Sequence, residues 1–135
     1  MSDLFSEQWI QELGKAWNND NLVLEPLEKA QFTANISYGF IGEENPRCLL
    51  TIVNGKAVNA SLYDNDHLDW DLRADRKNWE KWLTGGFGLT KLGPAVATRA
   101  LQFAAGDYRQ MIRNPLLSRP FLRHFVLMTQ LDTQF

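Results

Sequence analysis

From Phe32 to Phe40 the large apolar side chains fall on every second residue, with Thr33, Asn35, Ser37 and Gly39 between them. A repeat of two is the signature of a strand with one buried face. A turn over Gly42 to Pro46 leads to a second apolar run, Arg47 to Val53. Asn54-Gly55 follows at once, the dipeptide best suited to a two-residue hairpin, so Lys56 to Tyr63 is predicted as an antiparallel neighbour. After Asp64-Asn65-Asp66, a strand is predicted over His67 to Ala74, where Leu68, Trp70, Leu72 and Ala74 alternate with Asp69, Asp71 and Arg73. So regular an alternation predicts an antiparallel sheet with one face in water.

On either side of these strands the spacing changes to three and four. Trp9, Leu13, Ala16 and Trp17 define an amphipathic helix from Ser6, its N-cap, to about Asn18, where a run of asparagine and aspartate stops it. Leu22 to Ala30, with Pro26, reads as a short turn of helix. Asp75 caps a helix over Arg76 to Thr84 that carries Trp79, Trp82 and Leu83 and ends at Gly85-Gly86. Phe87 to Leu92, bounded by glycines, reads as a mobile loop, and Ala95 to Ala105 suits either a helix or a last strand. Gly106-Asp107 opens a short helix that Asn114-Pro115 closes. The last helix, about Arg119 to Leu131, has Phe121, Phe125 and Met128 on one stripe. Strands grouped together, with helices before and after, predict an α+β layer in which helices cover one sheet face.

Composition narrows the functional classes. At 135 residues the chain suits a single domain spanning residues 1–135, and its 44% hydrophobic and 22% charged residues are ordinary globular usage. A net charge of −2 without a basic block argues against nucleic acid as a partner. Cys48 is the single cysteine and lies in an apolar run, where a thiol behaves as a small hydrophobe. No secretory signal opens the sequence and no apolar stretch approaches the ~20 residues needed to span a bilayer, a combination that reads as cytoplasmic.

Candidate chemistry is thin. The cluster Asp64-Asn65-Asp66-His67-Leu68-Asp69-Trp70-Asp71 fails as a calcium loop, with Asp69 where glycine belongs and Asp75 where glutamate belongs. Asp69 and Asp71 share one strand face and form a candidate acid–base pair, set against the simpler reading of a solvated face. His67 and His124 stand far apart, without cysteine or carboxylate at metal-like spacing, and His124 beside Arg123 reads as a helix-surface residue. No serine sits in a nucleophile elbow, and Gly85-Gly86-Phe87-Gly88 lacks the lysine of a phosphate cradle. The expectation is a protein without catalytic residues, metal or cofactor.

What remains is apolar surface. The second-half helices carry large side chains on both sides, more than one sheet face needs, and pockets between helices and a sheet are mostly apolar. Burying an alkyl chain there gains about 0.8 kcal/mol per methylene.

The order and spacing of several segments also resemble a known family. Phe32 to Phe40, Asn54-Gly55-Lys56, Asp69 to Ala74, Trp79 with Trp82-Leu83, Gly93-Pro94-Ala95, Leu101-Gln102-Phe103, Gly106-Asp107-Tyr108 and Met111 resemble the sterol carrier protein type 2 (SCP-2-like) domain over nearly the whole chain. The resemblance implies a five-stranded, mostly antiparallel sheet with one face covered by helices. It also implies an internal apolar tunnel that binds or transfers sterols, fatty acyl chains or other lipids without catalysis. The expected wall or lid comprises Trp82, Leu83, Phe87, Leu89, Phe103, Met111, Phe121, Phe125 and Met128. The expected partner is a hydrophobic small molecule or lipid, with transient membrane contact and a homodimer as further options. Two alternatives stay open: an interaction or dimerisation module whose aromatics fill the core, and a small enzyme built on Asp64 to Asp71.

Overall fold

A computed structural model describes residues 1–87 and 89–135, with Leu89 described in its backbone alone. In chain order the elements are β1 (Ser2–Asp3), α1 (Glu7–Asn18), α2 (Asn21–Lys29), β2 (Ala34–Phe40), β3 (Cys48–Val53), β4 (Lys56–Leu62), β5 (Trp70–Ala74), α3 (Arg76–Gly85), α4 (Leu89–Ala97), β6 (Leu101–Ala105), α5 (Tyr108–Arg113), α6 (Pro115–Thr129) and β7 (Thr133–Gln134). Five strands form one sheet in the order β4-β3-β2-β5-β6, antiparallel except where β2 and β5 run parallel. The α+β class and the mostly antiparallel five-stranded sheet are as expected.

Local chemistry accounts for much of this. Ser6 Oγ accepts the Trp9 N–H at 3.2 Å and starts α1, which buries Trp9, Ile10, Leu13 and Trp17. Gly14 lets α1 sit close to the sheet, since a Cβ there would lie 3.3 Å from Leu50 Cδ1. Asn54 and Gly55 both take positive φ, 48° and 88°, as a type I′ hairpin requires. The helix side of the sheet supplies Ile36, Tyr38, Leu50, Ile52 and Leu72 to a core closed by Trp9, Trp79 and Phe125. Phe5 joins it edge-on to Trp9 and Trp79, each with ring centroids 5.2 Å apart.

Five sequence expectations need correction. The sheet is not antiparallel throughout: after β4 the chain passes to the far side of β2, and β5 pairs there in parallel, Ile36 opposite Trp70. A repeat of two marks which residues share a face and says nothing about which strand lies alongside.

The supposed wet face of β5 is buried, with Asp71 4% and Arg73 7% exposed. β5 lies inside the sheet, and the two charges neutralise each other: Arg73 Nε and Nη2 donate to the Asp71 carboxylate at 2.7 and 2.9 Å. Arg73 Nη1 donates to the Glu43 carbonyl at 2.9 Å, and the guanidinium crosses over Gly39, where a Cβ would lie 3.2 Å from Arg73 Nε.

The loop expected over Phe87 to Leu92 is mostly helix. α4 starts at Leu89, because Leu92, Ala95 and Val96 pack on the core at helical spacing despite Gly93 and Pro94. Of the two readings of Ala95 to Ala105, helix holds to Ala97 and strand from Leu101. The last helix begins earlier than expected, with Asn114 as N-cap and Pro115 as its first residue. The fifth correction, His124, belongs to the site below.

Both chain ends take part in the fold. β1 and β7 pair in parallel, Ser2 opposite Thr133, and Thr133 Oγ1 accepts the Trp9 indole N–H at 2.9 Å.

Candidate functional site

Where α6 crosses the sheet, the layers leave a cavity of about 30 Å³. The sheet side contributes Phe32, Ile36 and Trp70, and α1 and α2 contribute Trp17 and Leu27. Met111 of α5 and Leu117, Phe121 and His124 of α6 close the opposite wall. Each element supplies its residue for a local reason. Period two turns Phe32 and Ile36 to the helix side, and the α1 stripe ends on Trp17, whose indole N–H is taken by the Gly55 carbonyl at 2.9 Å. Asp107 caps α5 by accepting the Gln110 N–H at 3.1 Å and so places Met111, the one buried residue of that helix. Gly106 must be glycine: its φ is 99°, and a Cβ would meet the Trp70 ring at 2.5 Å. Trp70 is thereby pinned between the cavity and the turn that leads into α5.

A second space lies outside this one. A groove of about 530 Å³ runs along β6 and α5, lined by the apolar Val96, Leu101, Phe103 and Tyr108 and by the polar Arg99, Gln102, Asp107 and Arg109. Phe103 stacks between the two, its ring centroid 6.0 Å from Trp70, 6.0 Å from Phe121 and 5.4 Å from Tyr108. A partition of aromatic rings therefore separates the inner cavity from the outer groove.

His124 is the polar exception in the wall, and it overturns the surface assignment made from sequence: it is 1% exposed. α6 packs on α1, α2 and α3, so its buried arc is wide and takes in Pro120, His124, Phe125, Leu127 and Met128. His124 Nδ1 bonds the Phe121 carbonyl of its own helix. A carbonyl only accepts, so Nδ1 carries the proton and Nε2, on the far side of the ring, is a bare acceptor. Among the described residues Nε2 has no hydrogen-bond partner, and neither does the hydroxyl of Tyr38, whose ring centroid lies 6.0 Å from that of His124. Burial pushes the His124 pKa down to about 4 and raises that of Tyr38 well above its ordinary value, so both are neutral at pH 7.

The residues singled out from sequence divide between three places. Met111 and Phe121 line the inner cavity. Phe103 lies in the partition facing the outer groove. Trp82, Phe87 and Phe125 form a continuous stack at 4.6 and 4.7 Å in the core, where Leu83 and Met128 are also buried. Phe87 is 3% exposed, held under α3 and α6 and not carried on a lid. The Leu89 side chain lies outside the described residues. Sequence reasoning did not single out Trp17, Leu27, Phe32, Ile36, Trp70 or Leu117 as wall residues; for Trp17, Phe32, Ile36 and Trp70 the periodicity gave the face but not the cavity.

Other candidate chemistry stays dispersed. His67 Nε2 and Asp69 Oδ1 lie 3.0 Å apart, but His67 is 81% exposed, while the Asp69 carboxylate accepts the Asn35 backbone N–H at 2.9 Å and Asp71 is committed to Arg73. Burial raises the Cys48 pKa, which keeps the thiol protonated and unreactive. Among the described residues no three His, Cys, Asp or Glu side chains gather as a metal site, and no helix is long and apolar enough to cross a membrane.

Neither a protein-family model nor a curated protein sequence matches the chain. Solved structures do. A crystal structure of sterol carrier protein 2 superposes with a TM-score of 0.76 at 14% identity, over 96% of this chain and 100% of that one. The solution structure of TT1886 from Thermus thermophilus, described as possibly a sterol carrier protein, gives 0.67 at 13% identity over 95% and 91%. A ubiquinone synthesis protein, UbiJ-SCP2, gives 0.57 at 10% identity over 88% and 90%. With a five-stranded sheet, helices on one face and these neighbours, the chain folds as an SCP-2-like domain.

Proposed function

We propose that this protein binds an apolar ligand, a lipid or similar molecule, between its sheet and the α5–α6 wall, without catalysing a reaction on it. The observation that carries this reading is an apolar inner cavity with aromatic rings, Phe103 among them, between it and an outer groove of mixed polar and apolar lining. At about 30 Å³ the cavity has room for one or two waters, so an alkyl chain enters only as its walls move apart. α5 is suited to that movement: it has six residues, one of them buried, and lies between the Gly106 turn and the extended Asn114. Opening joins the two spaces, and the alkyl chain then takes the place of the Phe103–Phe121 contact. Each methylene buried contributes about 0.8 kcal/mol, so eight to ten offset the cost of association. The neighbours named as sterol carriers agree with this class of ligand.

The near-solid interior favours a second reading, an interaction or dimerisation module. Leu22 and Leu116, 63% and 40% exposed, line a groove of about 420 Å³ between α2 and α6 that a partner could cover.

Native mass spectrometry of the purified protein, followed by organic extraction, separates the two. A co-purifying lipid released on extraction is the result expected of a carrier. A lipid-free protein whose sedimentation coefficient rises with concentration supports the module instead.

A further inference from the structure

The two edges of the five-stranded sheet are finished differently, and the difference points to a contact that a single chain does not make. β4 forms one edge and β6 the other. At β4 the Asn18 side chain of α1 stands in for a further strand. Its Nδ2 donates to the Ala57 carbonyl at 2.8 Å, and its Oδ1 accepts the Ala57 N–H at 2.9 Å. α1 packs along that strand, and Lys56 stands at its start. None of these devices protects β6. Leu101-Gln102-Phe103-Ala104-Ala105 carries no charge and no proline, the features that keep an exposed edge from pairing. Among the described residues, no backbone hydrogen bond joins β6 to any element but β5. Four consecutive residues, Leu101 to Ala104, border the outer groove, although neighbours on a strand point to opposite faces. The open space therefore lies beside the strand, along its edge.

Charge decides what pairs with this edge. Arg99 lies two residues before β6 and Asp107 two residues after it, both exposed and, among the described residues, in no ion pair. We propose that a second copy of the chain pairs with β6 antiparallel, about a two-fold axis at Phe103, joining the two sheets edge to edge. In that register Leu101 faces Ala105, Gln102 faces Ala104, and Phe103 meets its own copy as an aromatic cross-strand pair. Two residues further out, Arg99 comes opposite Asp107 of the second copy, at both ends of the ladder. An axis at Ala104 would set Arg99 against Arg109 instead, and an axis at Gln102 would leave Arg99 and Asp107 both facing alanine. One register therefore satisfies the charges, and the two-fold satisfies them twice. Asp107 Oδ1 accepts the Gln110 N–H, which leaves its second oxygen for the guanidinium. The inference concerns assembly and goes beyond the ligand reading: neither Arg99 nor Asp107 lines the inner cavity or the α2–α6 groove.

Sedimentation equilibrium of the full chain from about 1 µM to about 1 mM tests this, a window that spans weak to moderate association. The unaltered protein is expected to pass from monomer to dimer within it. Arg99→Asp opposes two carboxylates at each end of the ladder and should weaken association by at least about tenfold. Position 99 has a φ of 64°, which aspartate tolerates, so this variant keeps its fold. Adding Asp107→Lys exchanges the two charges and should restore the dimer. That change also removes the α5 cap. Asp107→Asn beside Arg99→Asp keeps a capping side chain and should recover part of the association even where the lysine variant melts early. A protein that stays monomeric throughout would overturn the edge contact and leave the lipid reading to its own test, organic extraction. Association that Arg99→Asp does not change would overturn it too, and would place the contact on another face such as the α2–α6 groove. Loss in Arg99→Asp with no recovery in either double variant would overturn the pairing of Arg99 with Asp107.

Discussion

His124 shows how a single residue escapes a pattern-based reading. A polar side chain next to Arg123 on an amphipathic helix is placed outward by default, because ionisable groups are seldom fully buried. The position is buried because α6 has neighbours on three sides, a fact of the tertiary arrangement that no helical period encodes. Stability should then respond to acid through this ring. Its pKa is held at about 4 when folded, against about 6.5 in an unfolded chain, so the unfolded state takes up the proton first. The contribution is complete above pH ~6.5 and is lost as pH falls towards 4, amounting to about 3 kcal/mol. Urea unfolding of His124→Phe beside the unaltered protein should show the variant gaining relative stability by about that much over this interval. A constant difference between the two curves would mean the imidazole stays solvated.

Elements were legible where their cause is local. The hairpin at Asn54-Gly55 and the caps at Ser6 and Asp107 follow from a few adjacent residues, and each is found in place. Elements were illegible where distant partners decide. Nothing in the β5 sequence says that β2 lies beside it in parallel, or that Asp71 and Arg73 close on each other beneath the Glu43 carbonyl. That pair makes the strand intolerant of half-measures. Asp71→Ala strands a buried guanidinium and should lower unfolding free energy by about 3–5 kcal/mol, whereas Asp71→Leu combined with Arg73→Met should be far milder. Equilibrium unfolding of both variants checks this; equal losses would assign the effect to packing alone.

For the whole molecule, fold class was the easier inference, since grouped strands between helical patterns leave few layer arrangements. The candidate site was harder. Met111 and Phe121 stand out in sequence as large apolar residues near the end of the chain, but so do Trp82, Phe87 and Phe125, which the structure stacks at 4.6 and 4.7 Å in the core. Core and cavity wall are made of the same residue types, and only the fit between layers tells them apart. The apolar-ligand reading therefore depends on how far the aromatic partition yields, which extraction of a bound lipid addresses directly.

Because Ser2 and Thr133 sit side by side, the polypeptide is nearly a closed ring. Its two tails could be spliced through a few glycines, and a new break cut in the exposed bend at Asn65, without undoing any strand of the main sheet. Such a circular permutant should melt as one cooperative unit close to the parent temperature. Failure to refold would show that the β4–β5 connection has to stay intact for this architecture to form.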